Sequence, residues 1–553
     1  MRRAKSCLMA SLAIIMAINK LLSLIEKHGL DGFLVPSNDE FQSEYTPEYN
    51  NRLKFLTSFT GSNGIALITK KKLVFFTDGR YLLQAKRELS EDFIIENITH
   101  LYDNKYLFGK IGFDPKLHLA NAIERFKNCE LIACENLVDL IWENRPKYIQ
   151  SKIFDYPAKY AGESKESKLQ KISQYLKINN FDAIIITDPY NICWLLNIRG
   201  DDVPYNPVIL SYAVCYQDRK IELVAIEEFT EKVKPLKNKQ IEIDPSSASI
   251  WVMNHFVNPI LKQDPCVLLK ACKNKKEIKQ AKEIHIIDGV ALTKLLFWLE
   301  SSYKNITEID IGNKLLEYRS LSPRFITPSF ATIAGFAENG AVIHYHANQD
   351  TNKKLDKDGL LLIDSGGHYY GGTTDITRVI PIGRPTHEQK LNFTLVLKGH
   401  IALAQAKFPK GTSGADLDIL ARQFLWKEQK DYPHGTGHGV GNCLNVHEGP
   451  QRISKFSRQE LIEGMILSNE PGYYKNGEYG IRLENLMVVK KTKDSFLEFE
   501  TISLAPISKK LILKKLLSID EMKWLNNYHK KIYKELSPFL SSKEKIWLKS
   551  TLI

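Results

Sequence analysis

The spacing of apolar positions changes period several times along this chain, and the changes divide it. Residues 18–28 repeat their apolar positions at helical spacing. Residues 32–36, 64–69 and 73–77 are short apolar runs bounded by turn residues, and residues 81–89 return to a helical period. That alternation predicts an α/β domain over residues 18–155, preceded by an extension of residues 1–17. A second α/β domain, residues 156–272, follows in similar order, with a helix over 165–178, a buried strand over 183–187 and strands over 208–216 and 221–225. Residues 275–301 then read as a long amphipathic helix opening a third domain, 273–553, whose basic C-terminal tail carries another helix at 520–536.

The third domain gathers unusual chemistry. Residues 360–363 are a continuous apolar run ending in Asp364, the pattern of a buried strand with a carboxylate at its tip, and such a group needs a partner or a metal. A Gly- and Tyr-rich turn follows, and a second run, 375–380, again begins with an acid. Asp364 and Asp375 could therefore sit side by side on a hairpin, where two carboxylates repel unless a proton or cation lies between them. His434 and His438 fall in HGTGHGVG (434–441), too rich in glycine for a helix interior, so a loop or distorted strand is expected. Glu470 precedes the turn signal Pro471-Gly472, and Glu484 ends an alternating run, 481–484, that reads as a strand. Each acid alone reads as a strand-end cap or ion-pair partner rather than a ligand. Together, four carboxylates and an imidazole form an oxygen-rich set suited to Mn²⁺, with Co²⁺ or Zn²⁺ as alternatives. HGTGHGVG lacks the lysine of a phosphate loop, His447-Glu448 does not continue into HExxH, and no PCxxC is present.

Composition narrows the class. At 553 residues the chain is too long for one core, and 43% hydrophobic with 25% charged residues is ordinary for a globular enzyme. The net charge of +12 raises nucleic acid or acidic membranes as partners. The lysines are scattered, however, and no aromatic-basic motif accompanies them, so a solvated surface is expected, with no nucleic acid and no membrane. Arg2, Arg3 and Lys5 ahead of the apolar residues 8–18 imitate a secretory signal. No A-x-A site follows, and the run merges into the first predicted helix, so the chain reads as cytoplasmic, with Met16 as an alternative start. The segment is too short to span a bilayer. The eight cysteines include no CxxC and read as reduced thiols.

The ordered set Asp364, Asp375, His438, Glu470 and Glu484 resembles the five-ligand signature of the pita-bread metallopeptidases, the family of methionine aminopeptidase, prolidase and aminopeptidase P. HGTGHGVG, NVHEGP (445–450), NEPGYY (469–474) and GIRLEN (480–485) resemble the large three-domain aminopeptidase P branch, as do TDPYNICWLLNIRGDDVPYNPV (187–208) and WLNNYH (524–529). The resemblance implies an α/β (α+β) fold, with two creatinase-like N-terminal domains before a pita-bread domain. It implies hydrolysis of the bond between an N-terminal residue and a penultimate proline, peptides with N-terminal Xaa-Pro as partners, and a homodimer. It also implies two divalent ions per chain. Asp364 would hold one, Asp375 and Glu484 would bridge, and His438 and Glu470 would complete the second. Glu470 would shuttle the proton. His434, His447 and His344, the last in a strand-like stretch at 341–346, would position substrate and stabilise the tetrahedral intermediate. Arg482 would orient a bridging carboxylate. Arg80, in Asp78-Gly79-Arg80-Tyr81, would reach the cleft or serve as a helix N-terminal charge. Prolidase is one rival reading. Methionine aminopeptidase is another, but it leaves 18–272 unexplained. A pita-bread binding module without catalysis should have lost ligands, and here all five positions carry competent side chains.

Overall fold

The computed structural model describes residues 2–103, 105–123, 125–149, 152–302, 304–493 and 495–552, with side chains described from residue 12 onward. The chain divides into two compact units, one of residues 1–155, 165–204 and 208–266, the other of residues 156–164, 205–207 and 267–553.

The first unit opens with a helix, Arg2–Lys27, that runs unbroken through residues 17 and 18. Ile18, Leu21 and Ile25 form its buried stripe at helical spacing. Two sheets follow. The six-stranded sheet has the order Phe93–Asn97, Leu73–Thr77, Ile65–Thr69, Gly32–Pro36, Lys110–Phe113, Glu130–Ala133. The five-stranded sheet has the order Ile221–Val224, Tyr212–Tyr216, Ala183–Ile186, Ile241–Ile243, Ile260–Leu261. Each places its earliest strand centrally. Gly32–Pro36 pairs antiparallel with Ile65–Thr69 and parallel with Lys110–Phe113, and Ala183–Ile186 does the same with Tyr212–Tyr216 and Ile241–Ile243. The duplication expected from element order is thus a shared topology, with Phe93–Asn97 added at one edge. The strand expected over 208–216 begins only at Tyr212. The Leu210 N–H donates to the Asp202 carboxylate at 2.7 Å instead of to a neighbouring strand, and Pro207 has no N–H to give.

In the second unit the expected long helix spans Lys275–Ser302. A three-stranded antiparallel sheet, Ile333–Phe336, Gly359–Ser365 and Ile376–Ile382, sets Asp364 opposite Ile333 and Thr377. Its central strand is buried on both faces. Leu360 and Leu362 pack with Phe393, Val396 and Leu397, while Leu361 and Ile363 pack with Leu292, Leu295 and Leu299. That double burial is why residues 360–363 read as an unbroken apolar run. The six-stranded sheet has the order Lys407–Pro409, Phe496–Thr501, Asn485–Lys491, Ile466–Asn469, Gly437–Gly439, Glu448–Ile453. Helices His387–Ala404 and Gly414–Trp426 begin with capping boxes at Thr386 and Ser413. The helix Ile519–Leu536, followed by a last helix Ser542–Thr551, contributes Leu525, Ile532 and Leu536 to the core that contains Leu360. Among the described residues no helix is long and apolar enough to cross a membrane, and the seven described cysteines are free thiols.

Candidate metal centre

Four acids reach the site from the ends of strands, and one histidine from within a short strand. Asp364 is the penultimate residue of Gly359–Ser365, and Asp375 stands one residue before Ile376–Ile382, its antiparallel neighbour. His438 lies within the three-residue strand Gly437–Gly439. The glycines there are dictated by crowding: a Cβ on Gly437 would come within 2.1 Å of the Ser468 carbonyl oxygen, and one on Gly439 within 2.3 Å of that of Glu448. Glu470 follows Ile466–Asn469, and its N–H donates to the Thr436 carbonyl at 2.8 Å. Glu484 was expected inside an alternating strand. It sits instead in a two-residue break between Tyr479–Arg482 and Asn485–Lys491, where the N–H groups of Leu483 and Glu484 donate to Pro471 and Thr377 at 3.2 and 3.3 Å.

These side chains converge. Ligand atoms of Asp364, Asp375 and Glu484 all lie within 4.8 Å of one another, as do those of His438, Glu470 and Glu484, and those of Asp375, His438 and His447. Glu484, Asp375 and His438 therefore each belong to two groups. The chemistry of the set fits two hard divalent cations. Asp364 Oδ1 and Glu484 Oε1 are buried oxygens without a hydrogen-bond partner, which is costly for a carboxylate unless something else meets them. His438 Nδ1 lies 3.0 Å from the Gly439 carbonyl and must carry its proton there. Its Nε2 then faces Asp375 Oδ2 at 3.5 Å and Glu470 Oε1 at 3.4 Å, an arrangement that a cation between them satisfies. Burial, and then the neighbouring acids, hold the Asp375 and Glu484 carboxyls well above the usual range. Burial pushes Glu470 up to about 7, although Arg482 opposes it.

Arg482, itself buried, ties the set together. Its Nη2 donates to Asp364 Oδ2 at 2.6 Å and its Nε to Thr377 Oγ1 at 3.2 Å, and Thr377 in turn donates to Glu484 Oε2 at 2.7 Å. The carboxylate it meets directly is Asp364, and Glu484 is reached through Thr377, because the strand stops at Arg482 and no longer sets residue 484 on the same face. Its Nη1 donates to the Tyr474 hydroxyl at 2.7 Å, which lies 2.9 Å from His434 Nε2. His434 Nδ1 faces the Gly435 carbonyl at 2.8 Å and so holds the ring proton, leaving Tyr474 to donate to Nε2. A buried pair on the helix Gly414–Trp426 secures the surrounding loop. Arg422 donates to Asp418 at 2.7 Å, to the Tyr432 carbonyl at 2.9 Å and to the His434 carbonyl at 2.6 Å. Asp418 accepts from Thr436, whose carbonyl receives Glu470.

The His447 ring meets that of His438 edge-on, with centroids 4.4 Å apart. His344 is half-buried and lies in a turn after the short helical turn Ala337–Ala341, not in the strand expected at 341–346. Arg80 belongs to the first unit, where its side chain donates to both oxygens of Asp78 at 2.9 and 2.8 Å, shortly before the helix Leu82–Glu88. Thr377, Tyr474, Asp418 and Arg422 were not singled out from sequence. Tyr474 stands inside NEPGYY and carried a signal, whereas Thr377 reads as an ordinary β-branched strand residue.

The chain matches the family models for metallopeptidase family M24 over residues 279–491 and the C-terminal region of that family over 495–551. It matches the creatinase/prolidase N-terminal domain twice, over 18–141 and 144–227. It is 37% identical to aminopeptidase P2 of Arabidopsis thaliana, with 94% of this chain and 85% of the relative covered. It is likewise 37% identical to a probable Xaa-Pro aminopeptidase P of Laccaria bicolor, covering 94% and 90%. Among solved structures, the X-prolyl aminopeptidase of Caenorhabditis elegans, described as a cytosolic enzyme with a di-nuclear active site, superposes with a TM-score of 0.93 at 31% identity, covering 97% of this chain and 99% of that one.

Proposed function

The chain belongs to the Xaa-Pro aminopeptidases of metallopeptidase family M24, metal-dependent hydrolases of the bond between an N-terminal residue and a penultimate proline, and we propose how its own residues perform that reaction. The reading rests on one observation: two groups of ligand atoms that share Glu484 and contain buried, unpartnered carboxylate oxygens.

Asp364 would hold one of two divalent ions, His438 through Nε2 and Glu470 would hold the other, and Asp375 and Glu484 would serve both, with Mn²⁺ favoured by the oxygen-rich set. When bound, two such ions supply Lewis-acid activation of water and charge neutralisation at the attacked carbonyl. Glu470, a carboxylate beside the place where the water is activated, is assigned to take the proton from the attacking water and return it to the proline nitrogen that leaves. Ser468 donates to its Oε1 at 3.1 Å, so Oε2 is the oxygen assigned to that exchange. His344, His434 and His447 orient the peptide and stabilise charge on the tetrahedral intermediate. Arg482 holds Asp364 in place and, through Tyr474, fixes the His434 ring. Arg80 is assigned to substrate binding. The bond cleaved is a tertiary amide without N–H, so the pocket must recognise ring shape and the free amino terminus.

The same proposal divides the chain into an extension of residues 1–17, creatinase-like domains at 18–155 and 156–272, and a pita-bread domain at 273–553. It also places the protein in the cytosol as a homodimer, which light scattering on the purified protein tests. The catalytic reading is tested with protein stripped of metal, reloaded with Mn²⁺ and given Arg-Pro-Pro, beside Glu470→Ala and the dipeptide Ala-Pro. Metal-dependent release of arginine, lost in the variant, is expected. Turnover of the dipeptide alone would make the chain a prolidase, and no turnover at all would leave a binding module.

A further inference from the structure

His344 stands on a stretch of chain that no ladder supports. Between the strands Ile333–Phe336 and Gly359–Ser365 the backbone makes one short helical turn, Ala337–Ala341, and then turns and irregular conformation until Lys354 pairs with Thr307 in a single β-bridge. A side chain that must meet a substrate to within a fraction of an ångström needs its backbone held by something else.

The start of this stretch is held by backbone contact. A Cβ on Gly335 would lie 2.8 Å from Gly340 Cα, and one on Gly480 would lie 1.7 Å from the Gly340 carbonyl oxygen, so only glycine permits this approach. The remainder converges on Glu308. This residue opens the helix Glu308–Ser320, but the capping of that helix is done by Thr307 and Asp310, which satisfy each other's backbone reciprocally. The Glu308 carboxylate, 1% exposed, is left to face the loop. Its Oε1 accepts the Phe336 N–H at 2.7 Å, where the stretch begins, and its Oε2 accepts the Lys353 N–H at 2.9 Å, near where it ends. Between these, Asn339 Nδ2 lies 3.1 Å from both oxygens, and the Tyr345 hydroxyl donates to Oε2 at 2.8 Å. One carboxylate thus gathers donors from four residues spread over the segment 336–353. Tyr345 is the neighbour of His344. On the other side, the Ile343 carbonyl lies 3.4 Å from Arg482 Nη2, the same nitrogen that donates to Asp364.

We infer that Glu308 is a positioning residue for the peptidase reaction, acting through Tyr345 to hold His344 at the register where it meets the substrate. The inference rests on the assignment of His344 to substrate handling. The partners of Glu308 are Phe336, Asn339, Tyr345 and Lys353 and include no metal ligand, so its replacement should leave the metal complement intact while lowering turnover. Glutamine is the informative replacement. Its amide has a similar shape but turns one acceptor into a donor, which then opposes the N–H and O–H groups now pointing at it.

The experiment is a double-mutant cycle on full-length, Mn²⁺-loaded protein with Arg-Pro-Pro as substrate, comparing Glu308→Gln, His344→Ala and the combined variant, with bound metal and Tm measured for each. Glu308→Gln should lower kcat/KM by roughly tenfold to a hundredfold at unchanged metal content, the loss expected when buried donors are left unmatched. Added to His344→Ala it should lower kcat/KM by less than about threefold more, because the residue it positions is already gone. A purely structural role would instead multiply the two losses, and that result overturns the inference, as does parental kcat/KM for Glu308→Gln. Should Glu308→Gln not fold, Tyr345→Phe carries the same cycle with a smaller expected loss of about threefold to tenfold. Parental activity in His344→Ala would overturn the assignment of His344 and the inference with it, whereas multiplied losses overturn only the coupling.

Discussion

Two places in the second unit bury carboxylates, and they are finished in opposite ways. Asp288, on the helix Lys275–Ser302, is fully answered: Arg319 donates to its two oxygens at 2.7 and 3.2 Å, and the Tyr369 hydroxyl donates at 2.7 Å. Arg319 also donates to the Gly366 carbonyl and the Ser365 hydroxyl, at the end of the strand that carries Asp364. At the centre itself one guanidinium, that of Arg482, faces four carboxylates, and two of their oxygens meet nothing. Burial of charge is tolerated where donors match it in number. Where they do not, the protein has left a place for cations or protons, and this contrast separates a structural ion pair from a catalytic centre without reference to motif.

The contrast is broken most forcefully at Glu470. Replacing it with glutamine removes proton exchange and should lower kcat on Arg-Pro-Pro by about 10²–10⁴-fold in Mn²⁺-loaded protein. A loss under about tenfold in steady-state assays would assign the proton to another group. At the structural pair the effect should move to stability. Asp288→Asn strands a buried guanidinium and should reduce unfolding free energy by about 3–5 kcal/mol in urea titrations, while turnover per folded molecule stays within a few-fold of the parent. Equal losses of turnover at both places would erase the distinction.

Metal occupancy sharpens it further. Protein treated with a chelator should lose activity and regain it on reloading, and a ligand at a hundredfold excess over its Kd should protect against unfolding by about 2.7 kcal/mol. The metal-free form should also respond to pH in a defined direction. Glu470 is raised from 4.5 to about 7 in the folded chain, so between those values the folded state binds a proton that the unfolded state lacks. Its contribution to stability is complete below about 4.5 and is lost as pH rises through 7, and Asp375 and Glu484 shift in the same direction. Tm of the metal-free protein should therefore fall from pH 5 to pH 8, less steeply in Glu470→Gln, and Mn²⁺ should flatten the slope. An identical slope in the parent and Glu470→Gln would remove Glu470 from the account. The smallest effect is expected at Tyr474. Phenylalanine there interrupts the path from Arg482 to His434 and should lower kcat/KM by about tenfold with both metals retained, and unchanged kinetics would mean that His434 is held from elsewhere.

Much of the fold was legible because burial leaves a periodic trace. The strand Gly359–Ser365 was visible as an apolar run because both of its faces are covered, and the repeated order of elements anticipated a duplicated fold, though not the central-strand pairing that the two sheets share. The trace failed where backbone donors turn to side chains. Residues 208–211 were misread as strand because their pattern is apolar, yet Leu210 bonds to Asp202, and residues 341–346 were misread because their order comes from Glu308 and Arg482. In the site, the glycines around His438 announced close backbone approach, and two carboxylates on neighbouring strands announced a cation or proton. Nothing local in the sequence marked Thr377, or paired Arg482 with Asp364.

The sequence by itself therefore determined the kinds of groups available, their order, and which runs become buried helices and strands, because those follow from residue chemistry and a local period of burial. Only the tertiary structure decided which oxygen meets which donor: that Glu484 is shared between two clusters, that Arg482 answers Asp364, and that Glu308 gathers a loop beginning nearly thirty residues further on. Such pairings are set by the register between strands and helices far apart in the chain, where a displacement of one residue exchanges every contact, and no periodicity along one segment records its alignment with another.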